Sequence, residues 1–121
     1  DEIILTSQEW MDDAEIAIFA FGSVARSARG AIKLARAQGI KAGLVRAQTL
    51  WPFPEEVVGT VAERVKAIVV PEMNYGQMVE KVREVAGCKT KVISLTRYDT
   101  LPITPEQMVL TIKEALNGRG A

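Results

Sequence analysis

A chain of 121 residues, 48% hydrophobic and 25% charged, is sized for one domain with its own core and is neither fibrous nor disordered. Its 15 basic and 15 acidic residues balance, which argues against bulk binding to nucleic acid or to a membrane surface. One cysteine and no histidine exclude an internal disulfide, a chain-internal zinc site, an iron–sulfur cluster on its usual set of about four thiolates, and any nucleophile activated by histidine.

In chain order, Asp1 to Leu5 is acidic and then apolar. It lacks the basic start of a signal peptide, and no apolar run in the chain approaches the roughly 20 residues of a membrane helix, so the expected location is the cytoplasm. Residues 1–13 read as a leader in which Ile3-Ile4-Leu5 can add a strand. The stretch from Ser7 to Asp13 is too short for a crossover helix, so that strand is expected at a sheet edge, antiparallel.

The first buried strand is expected over Glu15 to Phe21, and further strands over Ala42-Gly43-Leu44-Val45, Ala67 to Val70 and Val92 to Leu95. The first and third of these runs are continuous rather than alternating, the pattern of parallel strands covered on both faces. Helical spacing alternates with them. Ser23 caps a helix with Val24, Ala28, Ala31 and Ala35 inward and Gly39 as its stop. Pro54 suits the first position of a second helix, with Glu55 and Glu56 at its positive end and Val57, Val61 and Val65 inward. Asn74 and Gln77 have capping-box spacing before Met78, Val82 and Val85, with Gly87 as the stop. Thr104-Pro105-Glu106-Gln107 is a second capping box, followed by Met108, Ile112 and Ala115. The β-α alternation over 14–117 predicts an α/β fold, a three-layer α/β/α sandwich with right-handed crossovers; 118–121 read as a frayed tail.

The candidate sites cluster where strands end. Gly22-Ser23 closes the central strand and opens a helix, where an open parallel sheet binds ligands and a helix end attracts anions. Neither a G-x-G-x-x-G run nor a Walker loop is present, and plain turn geometry explains the pair as well. Glu72, Asn74, Tyr75 and Gln77 put a carboxylate, two amides and a phenol into one short segment, which reads either as a helix cap or as a surface touching a partner or a neighbouring active site. Trp51 and Phe53, stiffened by Pro52 and Pro54, can anchor an interface or fold onto the core. Arg26, Arg29, Lys33 and Arg36 form a basic stripe, either a solvated face or a dock for an acidic surface. Glu55 and Glu56 need no catalytic reading, because the helix dipole explains them. Cys88 has no base beside it and reads as incidental.

Three of these stretches also carry a resemblance. Thr49-Leu50-Trp51-Pro52-Phe53-Pro54, the run from Val70 to Met78, and Arg97-Tyr98-Asp99 with Pro102-Ile103-Thr104-Pro105-Glu106 resemble the alpha subunit of 2-oxoacid:ferredoxin oxidoreductases, nearest to the 2-oxoglutarate enzymes. The segment from Glu72 to Gln77 is the most specific. Thr100 stands where glycine is expected after Tyr98-Asp99. The resemblance spans the chain but only the C-terminal domain of such a subunit, and it implies a transketolase C-terminal-like, Rossmann-like fold: a mainly parallel five-stranded sheet with one antiparallel edge strand. It further implies an intact enzyme that oxidatively decarboxylates a 2-oxoacid, passes the acyl group to coenzyme A and reduces ferredoxin, using thiamine diphosphate, magnesium and iron–sulfur clusters. On that reading the partners are the remainder of the alpha subunit, the beta subunit, ferredoxin and coenzyme A, with no nucleic acid and no membrane.

The residues here suit a structural and interface role within such an enzyme. No Gly-Asp-Gly start or Asn-Asn end of a thiamine diphosphate motif is present, so catalytic, cofactor-binding and metal-binding residues are expected to be none, and the isolated domain inactive. Gly22, Ser23, Trp51, Phe53, Glu72, Asn74, Tyr75 and Gln77 are the candidates for an interface or an active-site wall. The rival readings are a small module that itself binds an anion or nucleotide, and the equivalent domain of a transketolase or a 2-oxoacid dehydrogenase.

Overall fold

The computed structural model of the chain describes residues 6–21, 24–47, 54–72, 77–96 and 103–117. In order the elements are β1 (Thr6–Glu9), β2 (Ile16–Phe21), α1 (Val24–Ala37), β3 (Ala42–Ala47), α2 (Glu55–Ala62), β4 (Ala67–Glu72), α3 (Gln77–Ala86), β5 (Lys91–Thr96) and α4 (Pro105–Leu116). The strands form one sheet in the order β1-β3-β2-β4-β5, with β1 antiparallel to β3 and every other pair parallel. The expected α/β sandwich with one antiparallel edge strand is therefore what the chain adopts. Among the described residues no helix is long and apolar enough to cross a membrane.

The apolar strands explain the layering. Along β2 the side chains alternate between two cores: Ile16, Ile18 and Ala20 pack with α1 and α4, while Ala17 and Phe19 pack with α2 and α3. Both faces are covered, so the run is continuous in apolar residues rather than alternating. α1 meets the sheet through Ala25, Ala28, Ala31, Ile32 and Ala35. These small residues allow close approach, and α4 adds Met108, Val109, Ile112 and Ala115 beside them.

Helix ends follow the expected chemistry in part. Thr104 and Gln107 form the full capping box: Thr104 Oγ1 accepts from the Gln107 N–H at 3.2 Å, and Gln107 Oε1 accepts from the Thr104 N–H at 2.9 Å. Gly39 and Gly87, at φ of 85° and 58°, supply the left-handed turns after α1 and α3. Pro54 falls one position earlier than expected, as the residue before α2, with no side-chain cap.

Three expectations need correction. The antiparallel edge strand runs over Thr6–Glu9, inside the stretch read as a connection; Ile3, Ile4 and Leu5 lie outside the described residues. The segment is polar because an edge strand buries little, and its pairing to β3 needs only backbone groups, in the register Thr6↔Ala47 to Glu9↔Leu44. In α2 the buried residues are Val58, Val61 and Ala62, with Val57 half-buried and Val65 buried only after the helix has ended. In α3 the buried residues are Val79, Val82 and Ala86, and Val85 is half-buried. Val61 and Val82 face inward as expected, while Val58 is more buried than its neighbour Val57 and Ala86 more than Val85, a difference of one residue that helical spacing alone does not resolve; the side chain of Met78 lies outside the described residues.

Between β1 and β2 the chain makes a tight crossing over β3. Trp10 adopts φ of 58°, costly for a non-glycine residue. Its carbonyl accepts from Arg36 Nη2 at 2.9 Å, and the same guanidinium reaches the Ala42 carbonyl through Nε at 2.9 Å. Arg64 donates to the Met11 carbonyl at 2.9 Å from the other side. Gly43 lies beneath this crossing, with no room for a Cβ.

Candidate functional site

The connectivity creates a switch point between the two middle strands. α1 carries the chain from β2 to β3 on one face of the sheet, whereas α2 and α3 lie on the other face and lead to β4 and β5. Right-handed crossovers that travel in opposite directions must use opposite faces. The helices that follow β2 and β4 therefore lie on opposite faces, the arrangement in which open α/β sheets place a binding crevice beyond the C-terminal ends of such strands.

The register shows where that crevice opens. β2 pairs with β4 only over Ile16↔Ala67, Ala17↔Ile68 and Ile18↔Val69. Both strands continue: β2 stays paired to β3 as far as Phe21↔Ala47, and β4 stays paired to β5 as far as Glu72↔Thr96. Past Ile18 and Val69 the β2–β4 pairing is not continued, although the two strands remain neighbours. Pro71, which has no N–H to give a ladder, lies two residues beyond Val69 in β4. Phe21 stands at the end of β2 with its ring 36% exposed, unusual for a large apolar residue at the centre of a sheet.

Glu72 stands at the end of β4, half-buried. Its carboxylate accepts from the Val79 N–H at 3.0 Å. Val79 is the third residue of α3, so the strand's last side chain satisfies one of the orphan donors of the next helix and sits at its positive end. Glu72 thereby ties strand end to helix start across the segment 73–76.

Of the eight sequence candidates, Gly22, Ser23, Trp51, Phe53, Asn74 and Tyr75 lie outside the described residues. Gln77 is the first residue of α3. Glu72 is the candidate whose contact is seen. The segments holding the others leave from Phe21, Ala47 and Glu72, the last residues of β2, β3 and β4, all at one edge of the sheet. Phe21 is the residue that sequence reasoning missed. It read as the last of a buried run, and it lies beyond the stretch of β2 that pairs with β4. Among the described residues no three of Cys, Asp and Glu gather as a metal-holding group. Cys88 is exposed in the turn after α3.

The basic stripe of α1 divides into two parts. Arg29 forms a two-point pair with Glu9, Nε to Oε1 at 3.0 Å and Nη2 to Oε2 at 2.6 Å. Arg36 holds Asp13 at 2.7 Å as well as the Trp10 and Ala42 carbonyls. These two residues latch the leader to α1, so half of the stripe also makes contacts inside the chain. The hydrogen bond from Arg29 holds the Glu9 carboxyl below its ordinary value; burial opposes this, and Arg46 and Lys33 nearby reinforce it. Arg36 lowers Asp13 in the same way. A carboxylate whose pKa is depressed by folding stabilises the fold above its ordinary value and loses that contribution as pH falls through the folded value. The latch is therefore intact at neutral pH and weakens as pH drops below 4.5 for Glu9 and 3.8 for Asp13. Glu9→Gln is expected to lower the melting temperature at neutral pH, and the gap from the parent chain should close towards about pH 3. A gap that stays constant down to that pH contradicts the assignment.

With the geometry in place, comparisons with known proteins are informative. The family model described as pyruvate:ferredoxin oxidoreductase core domain II matches residues 14–117. The 2-oxoglutarate synthase subunit KorA of Methanothermobacter marburgensis is 39% identical over 92 residues, 76% of this chain and 24% of that protein. The ketoisovalerate oxidoreductase subunit VorB of Methanothermobacter thermautotrophicus is 43% identical over 79 residues, 65% of this chain and 22% of that protein. Among solved structures, the 2-oxoglutarate:ferredoxin oxidoreductase of Magnetococcus marinus, with 2-oxoglutarate, coenzyme A and succinyl-CoA bound, superposes with a TM-score of 0.81 at 28% identity, covering 93% of this chain and 20% of that one. The chain thus spans about a quarter of the length of the curated relatives it matches.

Proposed function

Since the chain belongs to the pyruvate:ferredoxin oxidoreductase core domain II family, we propose that it is the C-terminal structural and interface domain of the alpha subunit of a 2-oxoacid:ferredoxin oxidoreductase, acting on 2-oxoglutarate. The observation that carries this reading is the match over 14–117, together with a site edge that holds a helix-capping carboxylate and an exposed aromatic side chain. Such an edge shapes a wall rather than performs a reaction. In the intact enzyme, a 2-oxoacid would be decarboxylated oxidatively, its acyl group transferred to coenzyme A, and the electrons passed to ferredoxin.

The residues of this chain do not fit the cofactors of that reaction. One cysteine, Cys88, and no histidine are present, against the roughly four thiolates that an iron–sulfur cluster takes. On this reading thiamine diphosphate, magnesium and the cluster are held by the remainder of the alpha subunit and by the beta subunit, the same chains against which the strand-end edge packs. Phe21 is exposed for that purpose, and Trp51, Phe53 and Tyr75 are assigned to the same contact.

The substrate has a second reading. The VorB relative, named for ketoisovalerate, has the higher identity over a shorter match. 2-Oxoglutarate is preferred because the KorA match covers more of the chain and the solved enzyme with 2-oxoglutarate bound matches 93% of this chain. The complete enzyme, assayed with coenzyme A and an electron acceptor, should show a kcat/KM for 2-oxoglutarate above that for 3-methyl-2-oxobutanoate by about tenfold or more, the discrimination expected when a buried polar site is built for a second carboxylate. The reverse preference would place the chain with the branched-chain enzymes. Saturable binding of a nucleotide to the chain by itself would favour the rival reading of an independent binding module.

A further inference from the structure

We infer that the flank of α1 carrying Arg26, Arg29 and Lys33, together with Arg46 of β3, is a reversible docking surface for a soluble protein with a carboxylate-rich face. Four cations gather there. Arg26 and Lys33 are seven residues apart on the outer ridge of α1, two helical turns, and Arg29 lies between them. Arg46 sits opposite Ser7 in the β1–β3 register, on the same side of the sheet as α1. Among the described residues Glu9 is the carboxylate in their midst: it bonds Arg29 and feels Arg46 and Lys33. Arg26, Lys33 and Arg46 make no hydrogen bond or ion pair with any described residue. One anion against four cations leaves a positive patch on a chain whose total charge is zero.

A second observation concerns Arg26 by itself. It is the third residue of α1, whose first turn holds no acidic residue. A helix N-terminus favours negative charge and is destabilised by a cation. The same chain follows the rule in α2, with Glu55 and Glu56, and in α4, with Glu106. A cation kept at the wrong end of a helix, exposed and without a partner among the described residues, works against the fold, and such local conflicts mark positions retained for function.

The patch also indicates the kind of contact. Permanent subunit interfaces are large and apolar, whereas transient ones are small, polar and steered by charge. On α1 the exposed large apolar side chain is Leu34, and it lies four residues after Gly30, on the flank that meets Pro105 of α4, away from the cations. The cationic flank has charge without an apolar anchor, which suits a partner that docks and leaves. This surface is separate from the strand-end edge assigned to assembly.

The test uses fluorescent poly-L-glutamate as the probe of an acidic protein face. Arg26→Glu with Lys33→Glu should weaken binding at about 20 mM salt by about tenfold or more, and raising salt to about 150 mM should do the same to the parent chain. Lys41→Glu with Lys113→Glu, which changes net charge equally elsewhere, should alter binding by less than about twofold. Arg26→Glu alone should raise the melting temperature by about 2–5 °C, since it restores the favoured charge at the helix end. The inference is overturned if the parent chain shows no saturable binding, if the two pairs weaken it alike, if the melting temperature does not rise, or if a double-stranded oligonucleotide binds this patch more tightly than polyglutamate. None of these outcomes depends on oxidation of a 2-oxoacid, so they leave the enzymatic reading untouched.

Discussion

Gly43→Ala should destabilise the chain by about 2–3 kcal/mol in urea unfolding, the upper part of the range for overpacking a closed site. A Cβ at this position would overlap Met11 Sδ, lie 2.9 Å from the Trp10 carbonyl oxygen and 3.0 Å from the Ala14 Cβ. Met11 is a flexible side chain and can turn aside. The Trp10 carbonyl cannot, because Arg36 holds it and because the residue already sits at a strained positive φ. The double variant Met11→Ala/Gly43→Ala should therefore recover only part of the loss, a non-additivity that a double-mutant cycle reads directly. A cost for Gly43→Ala below about 0.5 kcal/mol, the scatter of neutral surface changes, would mean the crossing is not tight.

Phe19→Ala is expected to cost about 3–5 kcal/mol, as for other fully buried phenylalanines. Phe19 is 2% exposed at the centre of the middle strand, on the face covered by α2 and α3. It is also the first residue of β2 beyond the paired stretch with β4, so the ring packs where backbone hydrogen bonds no longer join the two strands. Removing it leaves a cavity beside the crevice that the surrounding β-branched residues, Val45, Val70 and Val79, are too stiff to fill. Phe19→Leu should retain most of the stability. If Phe19→Ala cost less than about 1 kcal/mol, the ring would not be part of a close-packed core.

These effects bear on how much of the molecule is legible in its residues. The sandwich was, because continuous apolar runs, proline and glycine punctuation and the Thr104-to-Gln107 capping box each have one physical reading. Inward stripes were legible to within one residue, since Val57 and Val58 are both valine. The strand pairing of Ser7 to Glu9 was missed because this stretch is polar and holds its place by backbone pairing and by the Glu9–Arg29 contact, a pair twenty residues apart that no local pattern reveals. The candidate edge was legible as a place and not as a mechanism. Glu72 was singled out, yet its role came from a bond to Val79 across a segment that looked like a self-contained cap. The end of the β2–β4 pairing at Ile18 and Val69 involves a partner strand some fifty residues away, though Pro71 in an interior strand was a signal available in the sequence.

The same division runs through function. The latch of Glu9, Asp13, Arg29 and Arg36 and the clash-free crossing over Gly43 hold the leader against the sheet. The strand-end edge faces the opposite way along the strands, towards the helices' positive ends. On the proposed reading it is the part that other chains complete, and the domain supports the reaction by closing a wall. The most direct measurement is 2-oxoglutarate-dependent reduction of an electron acceptor in the presence of coenzyme A, made on three samples: the 121-residue chain alone, the complete enzyme, and the complete enzyme with the segment corresponding to 14–117 excised. The account predicts turnover only in the complete enzyme, with the excised subunit failing to assemble with its partner on gel filtration. Turnover by the chain alone, or an excised enzyme that assembles and keeps full activity, would contradict it.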